Sequence, residues 1–324
     1  MELKVAGIQI NVAVEPATAA RLYGSPVFRY LVKPGLAVLS KVGKKPTAPP
    51  PPPAAGAAAV PDFQDEEAAA IWEKIAHVGW YHTIELGHGI VTPGFIDNRP
   101  TVTHFGLPAD LTGKRCLDIG TYDGFWAFEM ERRGAAEVIA IDVDSRLDHD
   151  LPRPARQLLL DDPELLRKIE SGIAEGGLQL PGEGFRCAKE ILGSKVIRKP
   201  LSVYDLSPEE VGTFDVVLIS QLLLRLRDPQ TVIENMFSVC RDIAIIGEPY
   251  DPGLEMLNRA VSEFVGTERV GAWWGHSIKS MRKMMEVAGF DPVEEVDRYP
   301  VVNRVGSFQK VILRGHVPSG AATS

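Results

Sequence analysis

The chain has 324 residues, enough for one large α/β domain with attached pieces or for two small domains. Its apolar share of 45% suits a globular protein with a sizeable core, and its formal net charge of −8 argues against diffuse nucleic-acid binding, which wants a basic face. The three cysteines, Cys116, Cys187 and Cys240, lie far apart with neither metal-ligand spacing nor a disulfide framework, so they read as thiols of a reducing compartment.

No run approaches the roughly 18 to 20 apolar residues needed to span a bilayer. The opening MELKVAGIQI lacks a secretory pattern, and the cytoplasm is the expected location. Residues 1–43 form an N-terminal arm to which the sequence assigns no role. Its apolar, basic stretch 26–42 is broken by Pro34 and Gly35, which favours a short arm over a membrane-surface helix. Residues 44–61 read as a Pro/Ala-rich linker, because the run Pro49 to Pro53 removes donors and holds the chain extended.

From Asp62, the expected cap, Ala69, Trp72, Ile75 and Ala76 recur at helical spacing. WYHTIELGHGIVTPG (80–94) then reads as short strands and turns. The region 62–106 is therefore expected as a helix followed by a segment covering the substrate and cofactor side. From Leu111 strands and helices alternate. The stretch 111–120 is expected to end in a strand and 196–206 to hold one; further strands are expected at 137–144, 214–222 and 243–249, helices at 125–134, 228–240 and 277–290, and a final antiparallel pair at 292–300 and 307–315. Unbroken apolar strands suit a sheet covered on both faces. The expected fold is α/β and Rossmann-like: a seven-stranded, mostly parallel sheet with a final antiparallel strand pair and helices on both faces. The domain spans 107–316, followed by a tail, 317–324. Between Asp142 and Asp205 lie about twice the residues of a bare crossover, which marks an insertion at about 145–183, either a lid or a surface excursion.

The chemistry concentrates in RCLDIGTYDGFWAFEMERRGAAEVIAIDVD (115–144). Asp118 closes a strand, where its carboxylate can bond turn amides or receive a cationic amine. Gly120 and Gly124 let the backbone turn sharply beside a ligand. Asp142 ends the next strand about 20 residues on, where an acid can accept both hydroxyls of an adenosine ribose. A dinucleotide fingerprint would need a second glycine where Tyr122 stands, and Asp123 would meet a pyrophosphate with negative charge. A sulfonium nucleoside without phosphate meets neither objection.

These stretches, with SVYDLSPEEVGTFDVVLISQLLLRLRDP (202–229), resemble the first four motifs of class I S-adenosylmethionine-dependent methyltransferases over about residues 107–314. WYHTIELGHGIVTPGFID (80–97) adds a resemblance to the branch related to tRNA wobble-uridine carboxymethyl transferases. The class resemblance implies S-adenosylmethionine as cofactor. It implies Asp118, Gly120, Thr121, Tyr122 and Gly124 around the methionine part, Asp142 on the ribose and Val143 beside the adenine. Tyr204 and Asp205 would flank the adenine edge, while Ser220 and Gln221 would face the sulfonium and the substrate. The chain departs from the family at Arg225, where relatives often carry histidine. It also departs from the wobble-uridine branch, because residues 80–106 contain no lysine and only Arg99, which favours plain methyl transfer.

A sulfonium favours aromatic faces, for which Trp80, Tyr81, Tyr122 and Trp126 are candidates. An acceptor that carries a proton needs a base. His82 is the first candidate and His276 the second, although a given histidine is more often structural. No metal-ligand set is evident. The expected acceptor is a small molecule. The alternatives are a tRNA, which would need a basic groove from Arg132, Arg133, Lys279, Arg282 and Lys283, and a non-catalytic adenosyl-binding protein.

Overall fold

The central strands are apolar on both faces because they sit between two layers of helices. The computed structural model describes residues 2–5, 8–11, 65–164, 181–266, 272–304 and 306–320. The chain divides into two units, Met1–Pro52 and Pro53–Ser324. In the first, β1 (Glu2–Val5) pairs antiparallel with β2 (Ile8–Asn11). The apolar stretch 26–42, the linker 44–61 and Asp62 lie outside the described residues.

The second unit begins with α1 (Glu66–Ile75), capped by Asp65, whose side chain accepts the Glu67 amide. A two-stranded ribbon follows, β3 (Glu85–Gly87) with β4 (Ile90–Val91), and then a 3-10 turn, Arg99–Phe105. The main sheet is built from β5 (Arg115–Ile119), β6 (Glu137–Asp142), β7 (Ile197–Pro200), β8 (Phe214–Ser220), β9 (Cys240–Pro249), β12 (Val293–Asn303) and β13 (Gly306–His316). Its order is β12-β13-β9-β8-β5-β6-β7. β13 is antiparallel to both neighbours, and the β9-β8-β5-β6-β7 pairings are all parallel. The chain thus winds outward from β5 through β6 to β7, then returns to β8 on the other side. This reversal opens a crevice at the carboxyl ends of β5 and β8, where ligands bind in such sheets.

One face of the sheet carries Cys116, Val216, Leu218, Ile245 and Ile312. It is covered by α2 (Phe125–Arg132), α4 (Pro181–Leu192) and the segment 80–105. The other face carries Leu117, Val217, Ile246 and Val311 under α6 (Pro229–Ser238) and α8 (Ile278–Ala288). The edge strand β12 alternates exposed and covered residues over most of its length, whereas β8 is almost continuously buried.

The insertion contributes a 3-10 turn at Arg146–Asp148 and α3 (Arg153–Asp161), while residues 165–180 lie outside the described residues. Short helices α5 (Pro208–Val211) and α7 (Pro252–Glu255) follow β7 and β9 respectively. β10 (Ser262–Phe264) pairs with β11 (Trp274–His276), a ribbon that the sequence pattern does not signal.

Candidate functional site

The turn after β5 is held open by three left-handed residues: Gly120 at φ 71°, Tyr122 at φ 50° and Gly124 at φ 93°. A side chain such as that of Tyr122 disfavours this region. Its conformation is fixed by Asp142, whose Oδ2 accepts the Tyr122 amide at 2.8 Å while Oδ1 accepts the Val143 amide at 2.8 Å. The acid at the end of β6 is thus built into the turn, and burial pushes its carboxyl up to about 6. Asp118, only 2% exposed, lies just before the turn. Its Oδ2 has no partner among the described residues, and burial pushes the carboxyl up to about 7. Beyond Asp142 opens a cavity of about 600 Å³ whose lining includes Val143, Asp144, His149, Ser202 and Asp205.

These features fit an adenosyl amino acid. The cavity lined by Val143 and Asp205 has room for a purine, Asp142 directly precedes its lining residues Val143 and Asp144 in the chain, and the orphaned Asp118 oxygen is an acceptor for an ammonium.

Asp123 has a different role from the one its charge suggests. It is fully buried, and its Oδ2 accepts the amides of Tyr81 at 2.6 Å and His82 at 2.9 Å. It faces into the protein and clamps the covering segment onto the turn. α4 fits tightly behind it, since a Cβ on Gly184 would stand 2.7 Å from Asp123 Oδ1.

The four aromatic candidates separate. Tyr81 and Tyr122 are half-buried, with ring centroids 5.1 Å apart. Trp80 instead belongs to the core: it is 3% exposed and its Nε1 donates to the Ile75 carbonyl at 3.1 Å. The sequence places Trp80 among the cofactor contacts, whereas its indole N–H is taken up by the end of α1. Trp126 packs against Phe105 with ring centroids 3.8 Å apart. Tyr204 plays a local structural part. Its hydroxyl donates to Asp150 and accepts the Asp228 amide at 3.2 Å, tying the insertion to the start of α6. Its neighbour Asp205 lines the cavity. Thr121 is buried within the turn.

The two histidine candidates do not come together at one point. His82 is 6% exposed between Tyr81 and Phe125, and burial pushes its imidazole down to about 3. His276 lies on β11, where Nδ1 meets Ser262 Oγ at 2.8 Å; burial lowers it to about 4. His276 borders a second cavity of about 370 Å³ with Tyr250, Trp274, Phe308 and Gln309.

Ser220 and Gln221, at the end of β8, meet a residue that sequence reasoning misses. Lys310 of β13 is fully buried, with Nζ donating to Ser220 Oγ at 2.9 Å and Gln221 Oε1 at 3.3 Å. Gln221, left-handed at φ 57°, donates in turn to the Tyr81 hydroxyl at 2.9 Å. Buried Glu248 accepts the amides of Leu222 at 2.7 Å and Leu223 at 3.1 Å, fixing the loop that follows. A lysine among apolar strand residues carries no signal of burial by itself. The strand order supplies it.

The five cations expected to line a groove are dispersed. Arg132 and Arg133 pair with Glu129 on α2, whereas Lys279, Arg282 and Lys283 sit on α8 across the sheet and bond to Asn258, the Val293 carbonyl and Glu286. Arg99 is committed to Asp97 and Glu85. Asp65, Glu67 and His88 do stand together, exposed, but His88 already bridges the two carboxylates at 2.9 and 3.0 Å.

Comparison with known proteins bears on the fold and the family. No curated protein matches the chain. Among solved structures it is similar to the N-terminal domain of EvdMO1, crystallised in the presence of SAH and D-fucose: 17% identity, TM-score 0.50, covering 78% of this chain and 98% of that one. It is also similar to magnesium protoporphyrin IX methyltransferase from Synechocystis PCC 6803 with bound SAH, at 17% identity and TM-score 0.42, covering 68% and 81%. A model for the methyltransferase domain, which does not single out the wobble-uridine branch, matches residues 98–295, more than half of the chain. The chain therefore belongs to the methyltransferase-domain family.

Proposed function

We propose that this protein transfers a methyl group from S-adenosylmethionine to a small molecule. The observation that carries the reading is Asp142: one carboxylate holds the glycine turn through the Tyr122 and Val143 amides, and its chain neighbours Val143 and Asp144 line a cavity of about 600 Å³. In this reading Gly120, Thr121, Tyr122 and Gly124 surround the methionine part, with Asp118 receiving its amine. Asp142 takes the ribose, Val143 and Asp205 flank the adenine, and Ser220 and Gln221 face the acceptor.

When bound, the cofactor supplies an electrophilic methyl on a positive sulfur. The protein's contribution is to align and to exclude water. Tyr81 and Tyr122 offer aromatic faces to the positive charge. Segment 80–105, clamped by Asp123, covers the site. Of the two candidate histidines, His276 borders a cavity, while His82 is packed between Tyr81 and Phe125. The second cavity, lined by Tyr250, Trp274 and Phe308, suits an acceptor with an apolar or planar face. The dispersal of the five cations favours a small molecule over a tRNA. The reading places the protein in a reducing, cytoplasmic setting, in keeping with three cysteines far apart in the chain; no described helix is long and apolar enough to cross a membrane.

A ligand-shift stability assay tests the cofactor. S-adenosylmethionine or S-adenosylhomocysteine at about 100 times its Kd should stabilise the fold by about 2.7 kcal/mol. NAD should do nothing, and the carboxylated cofactor should rank below the plain one. Stabilisation by NAD alone would overturn the reading. Tight cofactor binding without turnover on any acceptor would leave a non-catalytic binding protein.

A further inference from the structure

Lys310 is an unusual place to keep an amine. β13 lies between β9 and β12, so both flanks of the residue are covered, and its side chain is 0% exposed. A buried ammonium costs several kcal/mol, on the order expected for an ion removed from water, unless a carboxylate answers it. Among the described residues no carboxylate lies within ion-pair distance. Glu248 on β9 is the charged group whose field reaches the amine, but it stands opposite Val311 in the register while Pro249 stands opposite Lys310. Alternation therefore sends the Glu248 and Lys310 side chains to opposite faces, and Glu248 Oε1 is occupied by two amides. From the covering segment the facing titratable group is His82, held neutral by burial; from β12 it is Tyr299, paired across the strands. The Phe105 ring, 4.8 Å away, completes the enclosure. Burial, opposed only by Glu248, brings the Lys310 amine down to about 7, within the range of lysines that accept protons.

The polar contacts of the amine lead to the crevice end of β8. Gln221 offers an amide oxygen, which can receive a hydrogen bond but does not relay a proton. Ser220, half-buried at the strand end, offers a hydroxyl that can donate and accept at once. We propose that Ser220 and Lys310 form a proton relay for methyl transfer, so that the acceptor is a hydroxyl, phenol or N–H compound and not a tertiary amine or thioether. As the acceptor atom bonds to the methyl and the methyl–sulfur bond breaks, the acceptor's proton passes to Ser220 Oγ. The Ser220 proton passes to the neutral Lys310 Nζ, and the sulfur keeps its electron pair. After product leaves, the proton returns to water by the same route. The relay rests on the methyl-transfer reading above.

The test begins without an acceptor. In full-length protein labelled with 13C at lysine Cε, one signal should titrate with a midpoint near pH 7. It should vanish in Lys310→Met and move to lower pH in Ser220→Ala, which loses an acceptor for the charged form. A Lys310 signal titrating near the ordinary lysine value of about 10.4 would overturn the relay. S-adenosylhomocysteine release is then measured over phenols, sugar hydroxyls and N–H heterocycles. With any acceptor turned over, wild type should show a rising limb near pH 7. Ser220→Ala and Lys310→Met should lose about 10²- to 10⁴-fold in kcat with little change in acceptor KM, and Lys310→Arg, permanently charged, should not rescue. Full activity in Lys310→Met, or a flat profile, would refute the proposal. Calorimetry with S-adenosylhomocysteine separates the two levels. A wild type that does not bind it fails the methyl-transfer reading, whereas a binder with an ordinary Lys310 fails the relay alone.

Discussion

The Asp123 carboxylate accepts the Tyr81 amide at 2.6 Å across 42 residues of chain, joining the cofactor turn to the segment that covers it. Because the same oxygen also holds the His82 amide, one buried side chain satisfies two backbone donors. Asp123→Ala strands both and should cost about 2–6 kcal/mol in urea unfolding, at about 1–3 kcal/mol for each buried unsatisfied amide. The pH sign is defined too. Burial raises the folded pKa from 3.8 to about 7, so this group's stabilisation is fully present below about 4 and lost as pH rises through 7. The gap between wild type and Asp123→Asn should therefore shrink from pH 5 to pH 8. A gap that widens would show a carboxylate stabilised in its charged form.

Asp142 serves the turn and, in the proposed function, the cofactor. Asp142→Ala should weaken S-adenosylhomocysteine binding by roughly 10- to 100-fold, the scale of one or two hydrogen bonds to a charged group. Isothermal titration measures it. Unchanged affinity would move the ribose elsewhere.

Asp118 gives a separate signature. Held up at about 7 by burial, it is largely protonated in mildly acid solution and must ionise to receive an ammonium. Cofactor affinity should fall up to about tenfold per pH unit below 7. Asp118→Asn should bind weakly and without that slope. A wild-type affinity that is flat from pH 5.5 to 8 would remove Asp118 from the contact.

Much of this architecture is legible along the chain, for a physical reason. β5, β6, β8 and β9 are covered on both faces, so their apolar runs stand out, and Gly120, Gly124 and Asp142 act within one βαβ unit. What the sequence hides is long-range. Asp123 reads as a charge aimed at a ligand because its partners lie 41 and 42 residues away. Lys310 reads as an ordinary lysine in an outer strand pair, yet β13 inserts between β12 and β9, and its partners Ser220 and Gln221 are 90 and 89 residues distant. Trp80 shows the converse: its position before the motif suggests a ligand wall, while its indole is bonded to the end of α1.

Gly247 illustrates how tightly the Lys310 enclosure is fitted. A Cβ there would stand 2.2 Å from Phe105 Cζ. Gly247→Ala should cost about 1–3 kcal/mol by overpacking and push Phe105 off Lys310. Phe105→Leu, which keeps bulk without the ring, should be milder. Equal stability of Gly247→Ala and wild type in thermal unfolding would mean that the ring moves freely.

Lys310→Met tests the buried amine through stability alone. A lysine whose folded pKa falls from 10.5 to about 7 contributes stability that is fully present above about 10.5 and lost as pH falls through 7. Wild type should therefore gain on the methionine variant as pH rises from 7 to 10, by at most about 1.4 kcal/mol per pH unit. The methionine variant, which fills similar volume and never charges, should have its greatest relative advantage at the low end of that range, when measured by urea unfolding at matched ionic strength. The opposite trend would require the ammonium to be paired in the native state. In that case Glu248 would have to be its partner, reaching around the strand with Oε2, which has no partner among the described residues, while Oε1 holds the Leu222 and Leu223 amides.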